Sequence, residues 1–138
     1  MKERINDKMV EIEKYLDELL EIIPENLAIY TKDFKAKAAC ERYAERIIEA
    51  VVDLAYLVIK AKNLPLPESD LQAFDILSGH KLVVPELAQK LQDAKRMRNI
   101  IAHEYGEIND EIVFYSLKDE LDSDVRAFIR LVKKNSAI

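Results

Sequence analysis

The stretch DFKAKAACERYAERIIEAVVDLAYLVIKA, residues 33–61, decides the fold of this chain. Its apolar residues keep the period of an amphipathic helix. They are Phe34, Ala38, Ile47, Val51, Leu54, Ala55 and Val58. Asp33 can cap the N-terminus of this helix, and the breakers in residues 63–67 close it. The stretch predicts one long helix with an apolar face directed into a core.

Helical patterns also lie on both sides of this stretch. Before it, apolar residues step by three and four along the chain, up to a stop at Pro24; they are Ile5, Met9, Ile12, Leu16, Leu19 and Ile23. After it, Ser69 and Gln72 have the spacing of a capping box, and Gly79 is a suitable stop for a short helix. These segments predict a first helix before the long one and a third, short helix after it.

Two more helices are predicted in the C-terminal half. Pro85 suits the first turn of a fourth helix, whose segment ends at Gly106. Its buried stripe is Leu87, Leu91, Ala94, Met97 and Ile101. Asn109 can cap a fifth helix, which continues through Phe114, Leu117, Leu121, Val125, Phe128 and Val132. We therefore expect an all-α, up-and-down bundle of about five helices, with no strand pair.

Composition narrows the class of protein. The chain has 138 residues, of which 49% are hydrophobic and 34% charged, so we expect one globular domain, residues 1–138. No apolar run is long enough for a membrane span and the N-terminus lacks a signal-peptide core. The single Cys40 also fits the cytoplasm. A net charge of −5 argues against a general nucleic-acid coat, so any contact with RNA should be local.

The residues that carry chemistry lie at the end of the fourth helix. Arg98 and His103 form the pattern R-x-x-x-x-H, which Tyr105 extends to R-x-x-x-x-H-x-Y. The guanidinium of arginine suits two phosphate oxygens, and a histidine exchanges protons near neutral pH. The pair could therefore cleave RNA without a metal, leaving a 2′,3′-cyclic phosphate and a 5′-hydroxyl. Cations near a helix C-terminus also have a purely structural explanation, because the helix dipole favours them there.

The spacing of this pair raises a geometric difficulty. Five residues turn an ideal helix by ~500°, which leaves the two side chains about 140° apart. Three solutions are open: the helix ends before His103, Arg98 reaches round the helix, or the pair is completed across a two-fold dimer. We favour the dimer, in which two arginines and two histidines meet in one cleft.

The run RNIIAHEY, residues 98–105, resembles the signature of the HEPN toxins of the HepT family. The long helix agrees, because Glu41-Arg42, Glu45 and the run from Ala50 to Ala55 are similar to the family's E-R…E…A-x-x-D-x-A pattern. The resemblance extends roughly over residues 35–132.

This resemblance implies a homodimeric helical bundle that acts as a metal-independent endoribonuclease, the toxin of a type VII-like toxin–antitoxin pair. It implies Arg98 and His103 as catalytic residues and Asn99 as a supporting residue. The implied partner is a minimal nucleotidyltransferase antitoxin, which silences the toxin by transferring AMP from ATP to Tyr105. An AMP group there would place an anion beside the arginine that should bind RNA phosphate. No cofactor, metal or membrane is implied.

Two other classes of function stay open. The first is a non-catalytic HEPN adaptor, or a substrate-binding partner of a nucleotidyltransferase, and the second is a purely structural helical dimer. The complete trio of Arg98, His103 and Tyr105 favours the toxin, because an adaptor does not need all three.

The remaining candidate residues have simpler interpretations. Cys40 is expected to be buried by packing and His80 to be an ordinary surface residue. Glu49 and Asp53 make a poor metal site and are expected to be a solvated or dimer-facing acidic pair. Arg42 and Glu45 are three apart and could form an exposed ion pair.

Overall fold

A computed structural model describes residues 1–103 and 108–136. The elements in order are α1 (Lys2–Ile22), α2 (Leu27–Lys32), α3 (Phe34–Ala61), α4 (Asp70–Gly79), α5 (Pro85–His103), α6 (Asp110–Tyr115), a π-helical segment (Ser116–Leu121) and α7 (Asp122–Ser136). No strand occurs within these residues. The predicted all-α class is confirmed.

Three predicted N-cap residues are present at the starts of their helices. A side-chain oxygen accepts from the amide two or three residues into the helix in each case, which satisfies one of the free donors of the first turn. The Oδ1 of Asp33 lies 3.1 Å from the nitrogen of Ala36, and the Oγ of Ser69 lies 3.1 Å from the nitrogen of Gln72. Asn109 caps α6 in the same way. Local side-chain chemistry therefore fixes where α3, α4 and α6 begin.

The long helix α3 forms the centre of the bundle. It packs along α1 and also contacts α4 and α5. Its buried face begins at Cys40 and continues to Ile59. The prediction was wrong at the start of the helix, because Phe34 is 75% exposed and Ala38 is also exposed. The first turns of α3 extend beyond the end of α1, and there Lys37 pairs with Asp110 of α6 while Phe34 and Ala38 stay exposed.

Aromatic pairs join the outer helices to the core. The rings of Phe74 on α4 and Phe128 on α7 are 6.2 Å apart in an edge arrangement, and both are buried. Tyr30 on α2 lies 5.2 Å from the ring of Phe114 on α6. Edge and tilted ring pairs add to the free energy gained by burial. They hold α4 and α2 against the C-terminal helices.

The structure differs from the prediction at two helices. Residues 27–32 form the short helix α2, capped by the Asn26 side chain, where no helix was predicted. The predicted fifth helix contains a π-helical segment between α6 and α7. Its predicted apolar residues are nevertheless all buried. The apolar face therefore stays buried where the α-helix changes to a π-helix and back.

The helix α4 ends in a different way from the one predicted. The helix includes Gly79, and the left-handed residue that ends it is Lys81, with φ 61°. The amide of Leu82 donates to the carbonyl of Leu77 at 2.9 Å, which is the hydrogen bond of a Schellman motif. Gly79 is thus the last helical residue, and the helix is ended by the turn that follows it, at Lys81.

Among the described residues, no helix combines the length and the apolar character needed to cross a membrane.

Candidate active site

The motif residues lie on the last turns of α5. This helix extends through His103 without a break, so the first of the three solutions, a helix that ends before His103, is wrong. On a continuous helix the Cα atoms of Arg98 and His103 are separated by ~7.5 Å along the axis and about 140° around it. Their side chains therefore leave the helix in different directions.

The Arg98 side chain points to α3. Its Nη2 donates to the Oε1 of Glu49, and the Arg98 side chain is 18% exposed. The Nε of Arg98 is buried and has no hydrogen-bond partner within the described residues. A buried donor without a partner costs free energy, and because this atom is closed to solvent, the accessible donors of Arg98 are at the other end of the guanidinium, on the side of Nη2. The phosphate-binding role predicted for Arg98 stays a prediction.

A cavity of about 510 Å³ adjoins Arg98, between α3, α5 and the start of α4. Within it the Nζ of Lys95 lies 3.3 Å from the Oδ2 of Asp70, and the hydroxyl of Tyr56 donates to the Oδ1 of Asp70 at 3.1 Å. Partial burial, together with that carboxylate, raises the pKa of Tyr56, so its hydroxyl stays protonated and donates. Asp70 therefore fixes one cation and one aromatic ring beside Arg98.

His103 is the last residue of α5 and is exposed. No described residue forms a hydrogen bond with its ring, so both ring nitrogens are unpaired within residues 1–103 and 108–136. The predicted modification residue, Tyr105, lies outside the described residues. Asn99 is half-buried, and its predicted supporting role stays a prediction.

Two structural partners of the site carry no sequence signal. Glu49 was expected to be part of a solvated or dimer-facing pair, and it is the partner of Arg98. Asp53, from the same expected pair, lies 3.6 Å from the Nζ of Lys8 on α1. Tyr56 is one of six tyrosines in the chain, and no motif distinguishes it from the others. Only the packing of α3 against α5 brings Glu49 and Tyr56 to Arg98.

The other candidates have the simpler roles that were expected. Cys40 is fully buried, and burial, with smaller contributions from Glu41 and Asp33, raises its pKa to about 11. His80 is exposed, with its Nδ1 3.0 Å from a carbonyl of its own helix. Arg42, which is exposed, and Glu45, which is half-buried, form the expected ion pair at 3.4 Å. The part of the chain that the structure describes holds no group of three or more His, Cys, Asp or Glu side chains placed to bind a metal.

Comparison with known proteins places this chain in a family. The family model for HepT-like ribonucleases matches residues 12–132. The chain is 28% identical over 104 residues to the mRNA nuclease HepT of Shewanella oneidensis, covering 75% of this chain and 77% of that protein. It is 26% identical over 113 residues to the tRNA nuclease HepT of Aphanizomenon flos-aquae, covering 82% of this chain and 77% of that protein.

The fold is also similar to a solved structure, that of the tri-AMPylated HEPN toxin of Shewanella oneidensis in complex with its MNT antitoxin. The TM-score is 0.88 at 24% identity, and the match covers 94% of this chain and 96% of that one. The family match includes α3 and α5, and with them Glu49, Arg98 and His103. The resemblance is thereby confirmed, and the chain belongs to the HepT-like ribonuclease family.

Proposed function

We propose that this protein is an endoribonuclease that acts as the toxin of a toxin–antitoxin pair in the cytoplasm. The observation that carries the proposal is Arg98, whose guanidinium is held by Glu49 at the edge of a cavity of about 510 Å³. His103 is on the same helix with its ring exposed. Family membership supplies the substrate class, since the two curated relatives are named as nucleases of mRNA and of tRNA.

The reaction we propose is transfer of the phosphoryl group to the neighbouring ribose hydroxyl. Arg98 binds the two non-bridging oxygens of the phosphodiester and stabilises the charge that they gain in the transition state. A His103 imidazole accepts the proton of the 2′-hydroxyl, and an imidazolium donates a proton to the departing 5′-oxygen. The 2′-oxygen–phosphorus bond forms and the phosphorus–5′-oxygen bond breaks. The products are a 2′,3′-cyclic phosphate and a 5′-hydroxyl, and the route uses no metal.

A two-fold dimer would solve the geometry of this pair. On one helix the two side chains diverge, and one imidazole cannot act as base and acid at the same time. Two copies of α5 that face one cleft would supply both histidines, one in each protonation state. This arrangement predicts that activity falls with the square of the wild-type fraction when wild-type and His103→Ala subunits exchange freely. A linear fall would show independent sites and would contradict the shared cleft.

The test of the nuclease itself uses three proteins. Wild type, Arg98→Ala and His103→Ala are purified without the antitoxin and incubated with RNA in EDTA. We expect cleavage by wild type only, at a rate that the chelator does not change. Equal activity in all three proteins, or no activity in unmodified wild type, would contradict the proposal.

We further propose that a minimal nucleotidyltransferase partner silences the protein by transferring AMP from ATP to Tyr105. The support comes from the related toxin that was solved in its tri-AMPylated form with its MNT antitoxin. A transferred AMP group would bring a phosphate close to Arg98 and fill the space that RNA needs. The check is intact mass and nuclease activity before and after incubation with antitoxin and ATP. A protein that carries AMP on Tyr105 and retains full activity would exclude this role.

A further inference from the structure

The cavity beside Arg98 continues into a larger one. The second cavity, of about 830 Å³, shares Asp53 and Tyr56 with the first and extends to the N-terminal turns of α1. We call the two together the α3 groove. Glu49, Asp53, Tyr56 and Lys60 are spaced by four, three and four residues, so one face of α3 forms its floor. From Glu49 to Lys60 this floor is ~16 Å long, the rise of about five stacked nucleotides.

The groove is positively charged within an acidic protein. Five cations and three carboxylates line it, namely Arg4, Lys8, Lys60, Lys95 and Arg98 with Glu49, Asp53 and Asp70. Each carboxylate is paired with one of the cations, at Arg98, Lys8 and Lys95. Arg4 and Lys60 pair with no carboxylate in the described part of the chain. The end of the groove away from Arg98 therefore carries uncompensated positive charge, although the whole chain has a net charge of −5.

The middle of the groove holds an oriented aromatic ring. Tyr56 lines both cavities, and its hydroxyl is held by Asp70 at 3.1 Å. Next to it the second cavity has an apolar wall that includes Leu66, which is 81% exposed. A fixed ring next to unpaired cations combines two features by which proteins bind single-stranded nucleic acid, since bases stack on the ring and phosphates lie beside the cations. A duplex hides its base faces and would gain nothing from the ring.

We propose that the α3 groove binds a single-stranded segment of RNA that continues from the phosphate held by Arg98. One base stacks on Tyr56, and the phosphates beyond it lie near Lys60 and Arg4. This proposal rests on the ribonuclease function proposed above. It adds that the substrate is unpaired next to the cleavage point, and that affinity depends on residues of α1 and α3 far from the motif.

The proposal is tested by binding without cleavage. A fluorescent single-stranded RNA oligonucleotide is titrated with His103→Ala protein at several salt concentrations, and Kd is measured by anisotropy. We expect Tyr56→Leu to raise Kd about tenfold with the salt dependence unchanged, because it removes a stacking surface. Lys60→Ala should raise Kd and lower the slope of log Kd against log salt by about 0.7, the value for one contact to a single-stranded phosphate.

Matched controls come from the same chain. Tyr43 is also a half-buried α3 tyrosine, with its hydroxyl 3.3 Å from Glu18 of α1, and it lines neither cavity. Lys14 is exposed on α1 and is also outside the groove. Tyr43→Leu and Lys14→Ala should leave Kd within about twofold of the parent protein, since neither touches RNA. Tyr56→Phe keeps the stacking surface and loses only the hydrogen bond to Asp70, so it should raise Kd by less than Tyr56→Leu does.

The possible results of these experiments distinguish a failure of the groove proposal from a failure of the proposed nuclease function. The groove proposal is wrong if Tyr56→Leu and Tyr43→Leu have the same Kd for the single strand. It is also wrong if Tyr56→Leu weakens the binding of a duplex as much as that of a single strand. Wild type that cleaves RNA while these variants bind alike would exclude the groove and leave the nuclease intact. Groove-dependent binding by a wild type that cleaves nothing would exclude the nuclease and support the groove.

Discussion

Glu49→Gln tests the Arg98 contact most sharply, because glutamine keeps an oxygen acceptor for Nη2 and removes only the charge. The Arg98 side chain is 18% exposed and that of Glu49 45% exposed, so solvent screens the carboxylate. The charges that matter for binding are the Glu49 carboxylate and an RNA phosphate at Arg98. Two unit charges ~4 Å apart interact by about 1 kcal/mol in water and by about 4 kcal/mol at the dielectric of a protein surface. At this exposure the lower value applies, which corresponds to about fivefold in Kd.

The expected result has two parts. The Glu49 carboxylate repels an RNA phosphate at Arg98, so Glu49→Gln should lower the Kd for single-stranded RNA about fivefold in the His103→Ala background. Glutamine holds the guanidinium by a weaker hydrogen bond than the carboxylate does, so its orientation is less fixed and in the active protein kcat should fall by about an order of magnitude. The assays are anisotropy for Kd and initial rates of oligonucleotide cleavage for kcat and KM.

The control is Glu45→Gln, one turn earlier on α3. Glu45 also faces an arginine, Arg42, at 3.4 Å, but that pair is outside the α3 groove. Its effect on Kd and kcat should be less than about twofold, since an exposed ion pair contributes little. Weaker RNA binding by Glu49→Gln, or equal effects of the two variants, would refute the reasoning about Arg98.

Two further predictions concern stability. Burial raises the pKa of the Glu41 carboxyl, whose Oε2 is buried without a partner in the described part of the chain. The folded state therefore favours the protonated form of Glu41. The stabilisation that protonation gives is complete below the pKa that Glu41 has in the unfolded chain, and it is lost as pH rises through the higher pKa of the folded chain. Glu41→Gln should raise the free energy of unfolding in urea more at pH 7 than at pH 4, and equal changes at both would contradict this. Gln92 is 6% exposed, and its Nε2 donates to the Leu71 carbonyl at 2.8 Å and to Asp75 at 2.9 Å. Gln92→Leu should cost about 1–3 kcal/mol, whereas Gln89→Leu, at an exposed position, should stay within about 0.5 kcal/mol; similar losses would mean that burial does not matter here.

The helix starts could be predicted from the sequence because their cause is local. Asp33, Ser69 and Asn109 each accept a hydrogen bond from an amide three residues later, so a short window contains the whole interaction. The apolar stripe of the C-terminal helices was correct for the same reason. Periodicity in the sequence reports which face is buried, whatever the detailed winding of the helix.

The missed elements have causes that a short window does not contain. The helix α2 has six residues, too few for a periodic pattern, and burial of Tyr30 against Phe114 gives it a place in the core. The cap at Asn26 was a signal that could have been used. The π-helical segment (Ser116–Leu121) keeps an ordinary apolar spacing, so the sequence pattern does not distinguish it from an α-helix.

The site was predictable only in part. Arg98 and His103 stand out because their motif lies within six residues of one helix. Glu49 is 49 residues from its arginine, and no pattern connects the two until α3 packs against α5. The exposed start of α3 at Phe34 shows the same limit, since periodicity does not reveal where the neighbouring helix ends.

The chemistry of the cut ends tests the central claim most directly. An RNA oligonucleotide of defined sequence is incubated in EDTA with unmodified wild type, and the products are identified by mass. We predict a 2′,3′-cyclic phosphate with a 5′-hydroxyl, no cleavage when the ribose at the cut lacks its 2′-hydroxyl, and no product with Arg98→Ala or His103→Ala. Products with a 5′-phosphate and a 3′-hydroxyl, or cleavage that survives loss of the 2′-hydroxyl, would contradict the roles assigned to Arg98 and His103.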